Sequence, residues 1–431
     1  MTRTQLVDGL PPGPRLPVGV QTLLFGKSRH RFLSEMHRRY GDVFTLRVAP
    51  HRRRLVMISR PDDIRAVFAG PTSVFHAGEG NAILGPLMGD HSVLLLDESE
   101  HIRIRQLLMP PFHGSALRGY RDLVTKLAHD EVGRWPVGRA FRLHDRMSAL
   151  TLEVILRVIF GVTDERRLAQ LRPPLDRVVT INPIVMLGWF YPQLQRVWPW
   201  RRFADVRREF DRLLYAEIAE RRAADLTGRS DVLSRLVAGG GLTDPEIRDN
   251  LITLLLAGHE TTATALAWAL HDLVHNAPVL RRAQQAADEG DDAYLEAVAK
   301  EALRMHPVIY EVARKLKAPA DVGGYRLPVG ATVMPTIGLV QSDPRHHPDP
   351  DEFDPTRFLG APLPANTWIP FGGGVRRCLG AGFSLMEATA ILREVLLAYD
   401  IRPARSRPER SIARNITLAP AEGTRVVISP R

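Results

Sequence analysis

The sequence predicts a mainly α-helical protein with a minor β-rich portion, and three stretches carry that expectation. Thr243-Asp-Pro-Glu246 supplies a capping residue, a proline and an acid in the first turn, and the apolar pattern behind it runs to about His275. Thr151–Val162 is almost wholly apolar, as in a helix inside a bundle. Ala381–Tyr399 reads as a long amphipathic helix. Strand-like runs are short, near the N-terminal end and in the tail that closes at Ser429. Composition alone, 45% hydrophobic in 431 residues, indicates only a large mixed globular chain.

Taken in order, Pro11, Pro12, Pro14 and Pro17 make residues 1–30 an extended proline-rich lead. Residues 31–431 read as one domain, because no linker, low-complexity run or fixed-period repeat divides them. Gly26-Lys27-Ser28 resembles the end of a phosphate loop, but Gln21 stands where that loop needs glycine, so the stretch is a turn. Phe44–Val48 and Arg54–Ser59 form the arms of a hairpin, and Pro61-Asp62-Asp63 opens a short helix. Gly70–Asp97 has scattered apolar residues without a period. On a helix, His101 and Arg105 share a face, where they either meet one anion or form a solvated basic surface. Pro183–Trp200 gathers Trp189, Phe190, Tyr191, Trp198 and Trp200, as core packing or as a lid over an apolar pocket.

Inside the long helix lies Ala257-Gly258-His259-Glu260-Thr261-Thr262. His259-Glu260 would suit a zinc-protease helix only with histidine at 263, and the residue there is Ala263. A glutamate in an apolar helix is costly unless it binds water or a partner, so Glu260 is either a satisfied structural residue or a chemical one. Glu301 and Arg304 lie three apart before Pro307, a spacing that also suits a surface ion pair worth about 0.3 kcal/mol. Arg314 begins a strand-like region with turns at Gly323-Gly324 and Pro328-Val-Gly330.

Lys and Arg number 58 against 48 Asp and Glu, giving +10, a balance that fits anionic partners. No basic run exceeds short clusters such as Arg52-Arg53-Arg54 and no nucleic-acid module is recognisable, so nucleic acid is not the expected partner. One cysteine excludes an internal disulfide and fits a reducing compartment. The N-terminus lacks the apolar core of a signal peptide, and no apolar run reaches ~18 residues, so a cytoplasmic protein without a membrane span is expected.

That cysteine, Cys378, sits in Phe371-Gly-Gly-Gly-Val-Arg-Arg-Cys-Leu-Gly380. A lone cysteine is usually a small buried hydrophobe, but three glycines, two arginines and an apolar helix starting at Leu379 surround this one. A helix N-terminus and nearby arginine stabilise a thiolate and lower its pKa. One sulfur cannot hold zinc or an iron-sulfur cluster, whereas it can be the single axial ligand of a haem. The glycines, Gly372 among them, would let the backbone lie flat on the macrocycle, Phe371 would shield the sulfur and Arg376 would reach a propionate.

Phe371, Gly374, Arg376, Cys378 and Gly380 fill the F-x-x-G-x-R-x-C-x-G pattern, and the chain resembles the cytochrome P-450 haem-thiolate monooxygenases of the soluble bacterial type. Five motifs follow the family's order from His101 to Gly380, and the remaining pattern fits from about Phe32 onward. The resemblance implies a triangular-prism fold and haem b, with O2 as co-substrate. It implies propionate ligands at His101, Arg105 and Arg314, and a loop at Gly70–Asp97 roofing the substrate pocket. It makes Ala257-Gly258-His259-Glu260-Thr261 similar to the helix passing over the haem, where Gly258 admits oxygen, the helix opens locally, and Glu260 and Thr261 deliver protons with ordered water. It matches Glu301 and Arg304 to the E-x-x-R motif, completed by Arg357 as a buried structural network.

The implied reaction inserts one oxygen atom of O2 into a C–H or C=C bond of a hydrophobic small molecule, Ala257 and Gly258 lining the pocket. No flavin or nucleotide motif is present, so electrons are expected from a separate ferredoxin and ferredoxin reductase, with Arg103 and Arg377 suited to an acidic donor. A non-catalytic haem-thiolate sensor or carrier is the alternative, against which the Glu260-Thr261 pair argues. Arginine and alanine usage resembles a bacterial chain.

Overall fold

In this computed structural model the described residues are 6–50, 52–161, 169–173, 175, 177, 193, 196–198, 200–414 and 416–431. Near the N-terminal end, strands β1 (Val43–Val48) and β2 (Arg53–Ile58) pair antiparallel as the expected hairpin, Phe44 opposite Met57 and Leu46 opposite Leu55. Helix α1 (Pro61–Ala69) follows, started by Pro61 with Asp62 and Asp63 in its first turn. The hairpin is completed into a five-stranded sheet by β3 (Phe75–His76), β4 (Arg314–Leu316) and β5 (Thr332–Pro335), in the order β1-β2-β5-β4-β3. Strand β4 thus carries Arg314 beside the early part of the chain, more than two hundred residues away in sequence.

The helices pack around a separate and larger core. Its framework is α2 (Glu98–Leu108), α3 (Leu143–Phe160), α4 (Asp244–His275), α5 (Asp292–Met305) and α6 (Ala381–Ala398). Helix α4 begins as the sequence indicates: Thr243 Oγ1 accepts the Glu246 N–H, and the Glu246 carboxylate accepts the Thr243 N–H at 2.8 Å. Thirty-two residues at 1.5 Å each make it about 48 Å long. It packs along α3 and is buried around almost its whole circumference.

Three boundaries differ from expectation. Helix α3 starts eight residues before Thr151, because His144, Asp145 and Arg146 mask the apolar pattern, and it stops at Phe160, where Gly161 takes a left-handed conformation. Part of the proline-rich lead is helical, over Val18–Lys27, with Pro17 as its cap. The Gln21 side chain there accepts the Arg47 N–H at 2.9 Å and donates to Leu16 O at 2.7 Å, fastening the stretch to β1. Gly70–Asp97 contains the short helices Ala77–Gly80 and Gly85–Met88.

The chain ends in small strands, among them the hairpin β6 (Ser411–Arg414) and β7 (Thr417–Pro420). This hairpin is anchored to α4 by the Trp268 indole N–H, which donates to Leu418 O at 3.0 Å. Among the described residues no helix is long and apolar enough to cross a membrane.

Candidate active site

Cys378 is held by its loop before it is held by anything else. Its N–H donates to Phe371 O at 2.9 Å, and the Arg377 N–H donates to Gly374 O at 3.1 Å. Gly372 and Gly374 take positive φ, 66° and 61°, which a side chain would strain. The three glycines serve different neighbours. A Cβ on Gly373 would strike the Phe68 ring of α1, and one on Gly374 the Phe68 carbonyl, whereas Gly372 has nothing within 4 Å of that position. Two of the three therefore answer to the packing of α1, and only Gly372 leaves open space of the kind expected for a flat cofactor.

The thiol is enclosed by protein and yet keeps accessible surface, so it opens on a recess. Burial pushes its pKa up, and the Gly380 N–H with the charges of Arg105 and Arg377 only partly offsets this. The expected lowered pKa is therefore not a property of the polypeptide by itself, since desolvation outweighs the helix end and the arginines. Phe371 stacks edge-to-face on Trp368, ring centroids 6.0 Å apart, which fixes the start of the loop.

A basic group gathers beside the loop. His101 is buried in α2 and its Nδ1 has no hydrogen-bond partner. Burial, then the charges of Arg376, Arg105 and Arg314, hold its pKa down at about 3, so the imidazole is neutral. Arg105 makes no side-chain hydrogen bond among the described residues. Arg314 is buried in β4 over the face of Phe68, and burial lowers its pKa to about 10. Arg376 reaches less freely than the sequence suggests: it donates to Val93 O at 3.1 Å, to Leu96 O and to Asp97 Oδ1 at 2.6 Å. It ties residues 93–97 to the cysteine loop with part of its five-donor set. Three arginines in mutual repulsion, with one carboxylate on Arg376 and a neutral imidazole short of a partner, form a site that suits two further carboxylates such as haem propionates.

After the buried run 246–255, α4 regains surface in its middle. Ala257 is exposed, and Leu256, Gly258, Glu260 and Thr261 are part-exposed, between fully buried turns. The Thr261 hydroxyl donates to Ala257 O at 2.6 Å and the Thr262 hydroxyl to Gly258 O at 3.1 Å. The helix is nevertheless continuous through this stretch, so the expected local opening is not present; two successive threonines back-bond to the carbonyls four residues earlier without unwinding it. Gly258 is needed for another reason as well: a Cβ there would lie 2.9 Å from Ile155 Cδ1 of α3.

Glu260 and Thr261, adjacent in sequence, are not brought together. The Glu260 carboxylate turns toward Arg414 Nε of β6, at 3.5 Å, and His144 Nε2 of α3, at 4.0 Å, and its Oε1 lacks a hydrogen bond. Burial raises its pKa and the charge of Arg414 partly counters that. His144, whose pKa falls to about 4 chiefly through burial, is neutral and meets Thr264 Oγ1 at 3.2 Å.

Glu301, Arg304 and Arg357 form the expected network. Arg304 donates to both oxygens of Glu301, at 2.7 and 2.9 Å, with both side chains at 0% exposure, and Arg357 Nε adds a contact at 3.3 Å. Glu301 also accepts the Asp354 N–H at 3.0 Å, and Arg304 donates to Gln341, Pro350 and Glu352 carbonyls. This is not the surface ion pair that the spacing alone allowed.

Sequence reasoning missed Asp97, His144, Arg414 and Glu387. The first three act through partners far away in sequence, which no local pattern encodes. Glu387 was findable: it is an acid in the apolar first half of α6, fully buried, with its pKa driven well above the usual range by burial, which a hydrogen bond from Thr262 offsets only in part. Most of the aromatic segment at 183–200, including Trp189, Phe190 and Tyr191, lies outside the described residues; Trp198 is exposed and Trp200 opens a helix.

A thiol in a recess, a basic group beside it and a polar step in the facing helix define the class: the chain belongs to the cytochrome P450 family, whose model matches residues 10–426. It is 49% identical to the Mycobacterium tuberculosis protein named as cytochrome P450 135A1, over 99% of this chain and 96% of that one. It is 46% identical to the Mycobacterium bovis protein named as cytochrome P450 135B1, over 97% and 91%. The fold matches a cyanobacterial CYP120A1 with retinoic acid bound, with a TM-score of 0.84 at 22% identity over 99% and 100% of the two chains. It also matches the haem domain of cytochrome P450DA, with a TM-score of 0.83 at 24% identity over 99% of each. The chain is thus a haem-thiolate monooxygenase, an oxidoreductase using haem b iron with O2 as co-substrate.

Proposed function

We propose that Cys378 is the axial ligand of the haem iron, that His101, Arg105, Arg314 and Arg376 bind its propionates, and that Phe371, Gly372 and Gly380 shape the loop. The observation that carries this reading is the accessible thiol flanked by three arginines and a neutral, unpartnered His101. When bound, thiolate-ligated haem supplies the activation of O2 and the transfer of one oxygen atom to a C–H or C=C bond.

The chain's own part is to position and to move protons. Thr261 Oγ1, on the exposed step of α4, holds its proton on Ala257 O and can turn it toward the recess. Glu260, whose carboxylate turns toward Arg414 and His144, relays protons to Thr261 through ordered water. Ala257 and Gly258 line the pocket of a hydrophobic small molecule. A ferredoxin with its reductase supplies electrons in the cytoplasm, docking near the exposed Arg377.

The test is the optical difference spectrum of dithionite-reduced protein with and without carbon monoxide. A strongly red-shifted Soret band is expected, and Cys378→His should move it to the position of histidine-ligated haem. An unshifted band in the parent protein overturns the ligand assignment.

A further inference from the structure

The C-terminal end of α4 builds a second site, about 15 Å along the helix beyond Thr261 at 1.5 Å per residue. There a cleft of about 270 Å³ opens between the helix and the segments 405–410 and 421–425. Its lining includes Arg405, Arg407, Arg410, Arg425 and His275. Two glutamates also line it, and both are already engaged. Glu409 accepts the backbone N–H of Glu422 at 2.7 Å and of Arg425 at 3.0 Å, clamping the two segments together. Glu422 pairs with Arg405 at 2.5 Å. Arg407, Arg410 and Arg425 have no carboxylate partner among the described residues.

The second observation is His275. Its Nδ1–H donates to His271 O at 2.8 Å, while its Nε2 is buried without a partner beside the cleft. Below lies a cluster, His271, Asp272 and His306, whose ligand atoms are within 4.8 Å of one another, as in a metal site. Proton positions argue against a metal. His271 Nε2 accepts the Glu409 N–H at 3.0 Å, so its Nδ1 carries the proton given to Asp272 at 2.9 Å, and His306 Nε2 donates to the same carboxylate at 3.1 Å. The trio is a floor, its protons committed to Asp272 Oδ1, that holds Glu409 and hence the cleft's wall.

We propose that this cleft binds the phosphate group of a small soluble ligand, with Arg407, Arg410 and Arg425 supplying the charge and His275 Nε2 accepting the hydrogen of a P–OH group. Guanidinium forks match phosphate oxygens two at a time, and the clamped walls fix the cleft before the ligand arrives. This site is independent of the haem reading.

Calorimetric titration of the haem-loaded full chain with inorganic phosphate and with pyrophosphate tests it. One saturable site is expected, weakened roughly tenfold or more in Arg407→Gln/Arg410→Gln, with the Soret band unchanged. Arg38→Gln, at a strongly exposed position, should bind as the parent does. In the parent protein, pyrophosphate should also protect Arg407 and Arg410 from phenylglyoxal, read by mass spectrometry. The proposal is overturned by absence of saturable binding, by equal losses in Arg38→Gln and the double variant, or by capture on phosphatidic-acid vesicles without binding of either free anion.

Discussion

Two carboxylates beside arginines, Glu301 and Glu260, are buried by the same chain in opposite ways. Burial pushes both carboxyl pKa values up. At Glu301 two guanidinium contacts from Arg304, the Asp354 N–H and Arg357 all act against that push. At Glu260 only the charge of Arg414 does, at 3.5 Å and without a hydrogen bond to Oε1. The first carboxylate is held in one geometry by donors from Arg304, Asp354 and Arg357, which tie α5 to residues 354–357. The second is under-satisfied, which costs stability and leaves a proton easy to exchange. On the proposed reading, a structural ion pair and a proton carrier are told apart by counting the donors on each oxygen.

The largest effect should come from breaking the satisfied side. Arg304→Ala leaves Glu301 and three backbone carbonyls without their donor in a site of zero exposure, a loss of about 3–5 kcal/mol. Thermal unfolding and the carbon monoxide spectrum should both report it, as a fall in Tm and in thiolate-ligated haem. A variant that keeps Tm within a degree would show that the network is dispensable and the contrast empty.

Gly374→Ala should follow at about 2–4 kcal/mol, since it adds a Cβ at φ 61° against the Phe68 carbonyl. Gly372→Ala meets only the backbone strain, at φ 66° and with nothing within 4 Å, so about 1 kcal/mol of stability is at stake. If haem is bound where proposed, Gly372→Ala should lose more haem affinity than its small stability loss accounts for. Parallel measurements of Tm and haem retention separate the two; proportional losses would remove Gly372 from the cofactor surface.

On the unsatisfied side, Thr261→Ala should leave folding and haem content intact. It should lower product formed per electron pair by roughly tenfold and release the difference largely as hydrogen peroxide. Unchanged coupling would take Thr261 out of proton delivery. The same contrast explains what the sequence could show. The Thr243 cap and the place of the cysteine loop are local patterns and were legible as such, whereas for Glu301 with Arg304 the spacing alone allowed a surface pair and only the family resemblance implied the buried network. The β1–β2 hairpin and the span of α4 were legible because period and capping residues agree. The partners of Glu260 were not, since Arg414 lies 154 positions on and His144 hides in the polar start of α3. Nor was the role of Gly373 and Gly374, which depends on a phenylalanine in α1 that the cysteine motif does not include.

Glu260→Gln gives the smallest effect and the sharpest sign. Because the folded carboxyl titrates above its ordinary range, the folded state binds a proton more tightly than the unfolded chain does. The stabilising part is fully present below the unfolded carboxyl pKa and is lost as pH rises through the folded one. At neutral pH the parent protein therefore carries a cost that glutamine does not, on the order of 1 kcal/mol. Glu260→Gln should accordingly raise Tm by a few degrees at pH 7–8, and the gain should shrink toward zero as pH falls below about 4.5. Arg414→Gln should act in the opposite direction at pH 7–8, lowering Tm, because it removes the one charge that offsets burial, and Glu260→Gln in that background should recover more than it gains in the parent. A flat Tm difference across pH, or independence of the two substitutions, would mean that Glu260 is as settled as Glu301 and that proton supply to Thr261 comes from another group.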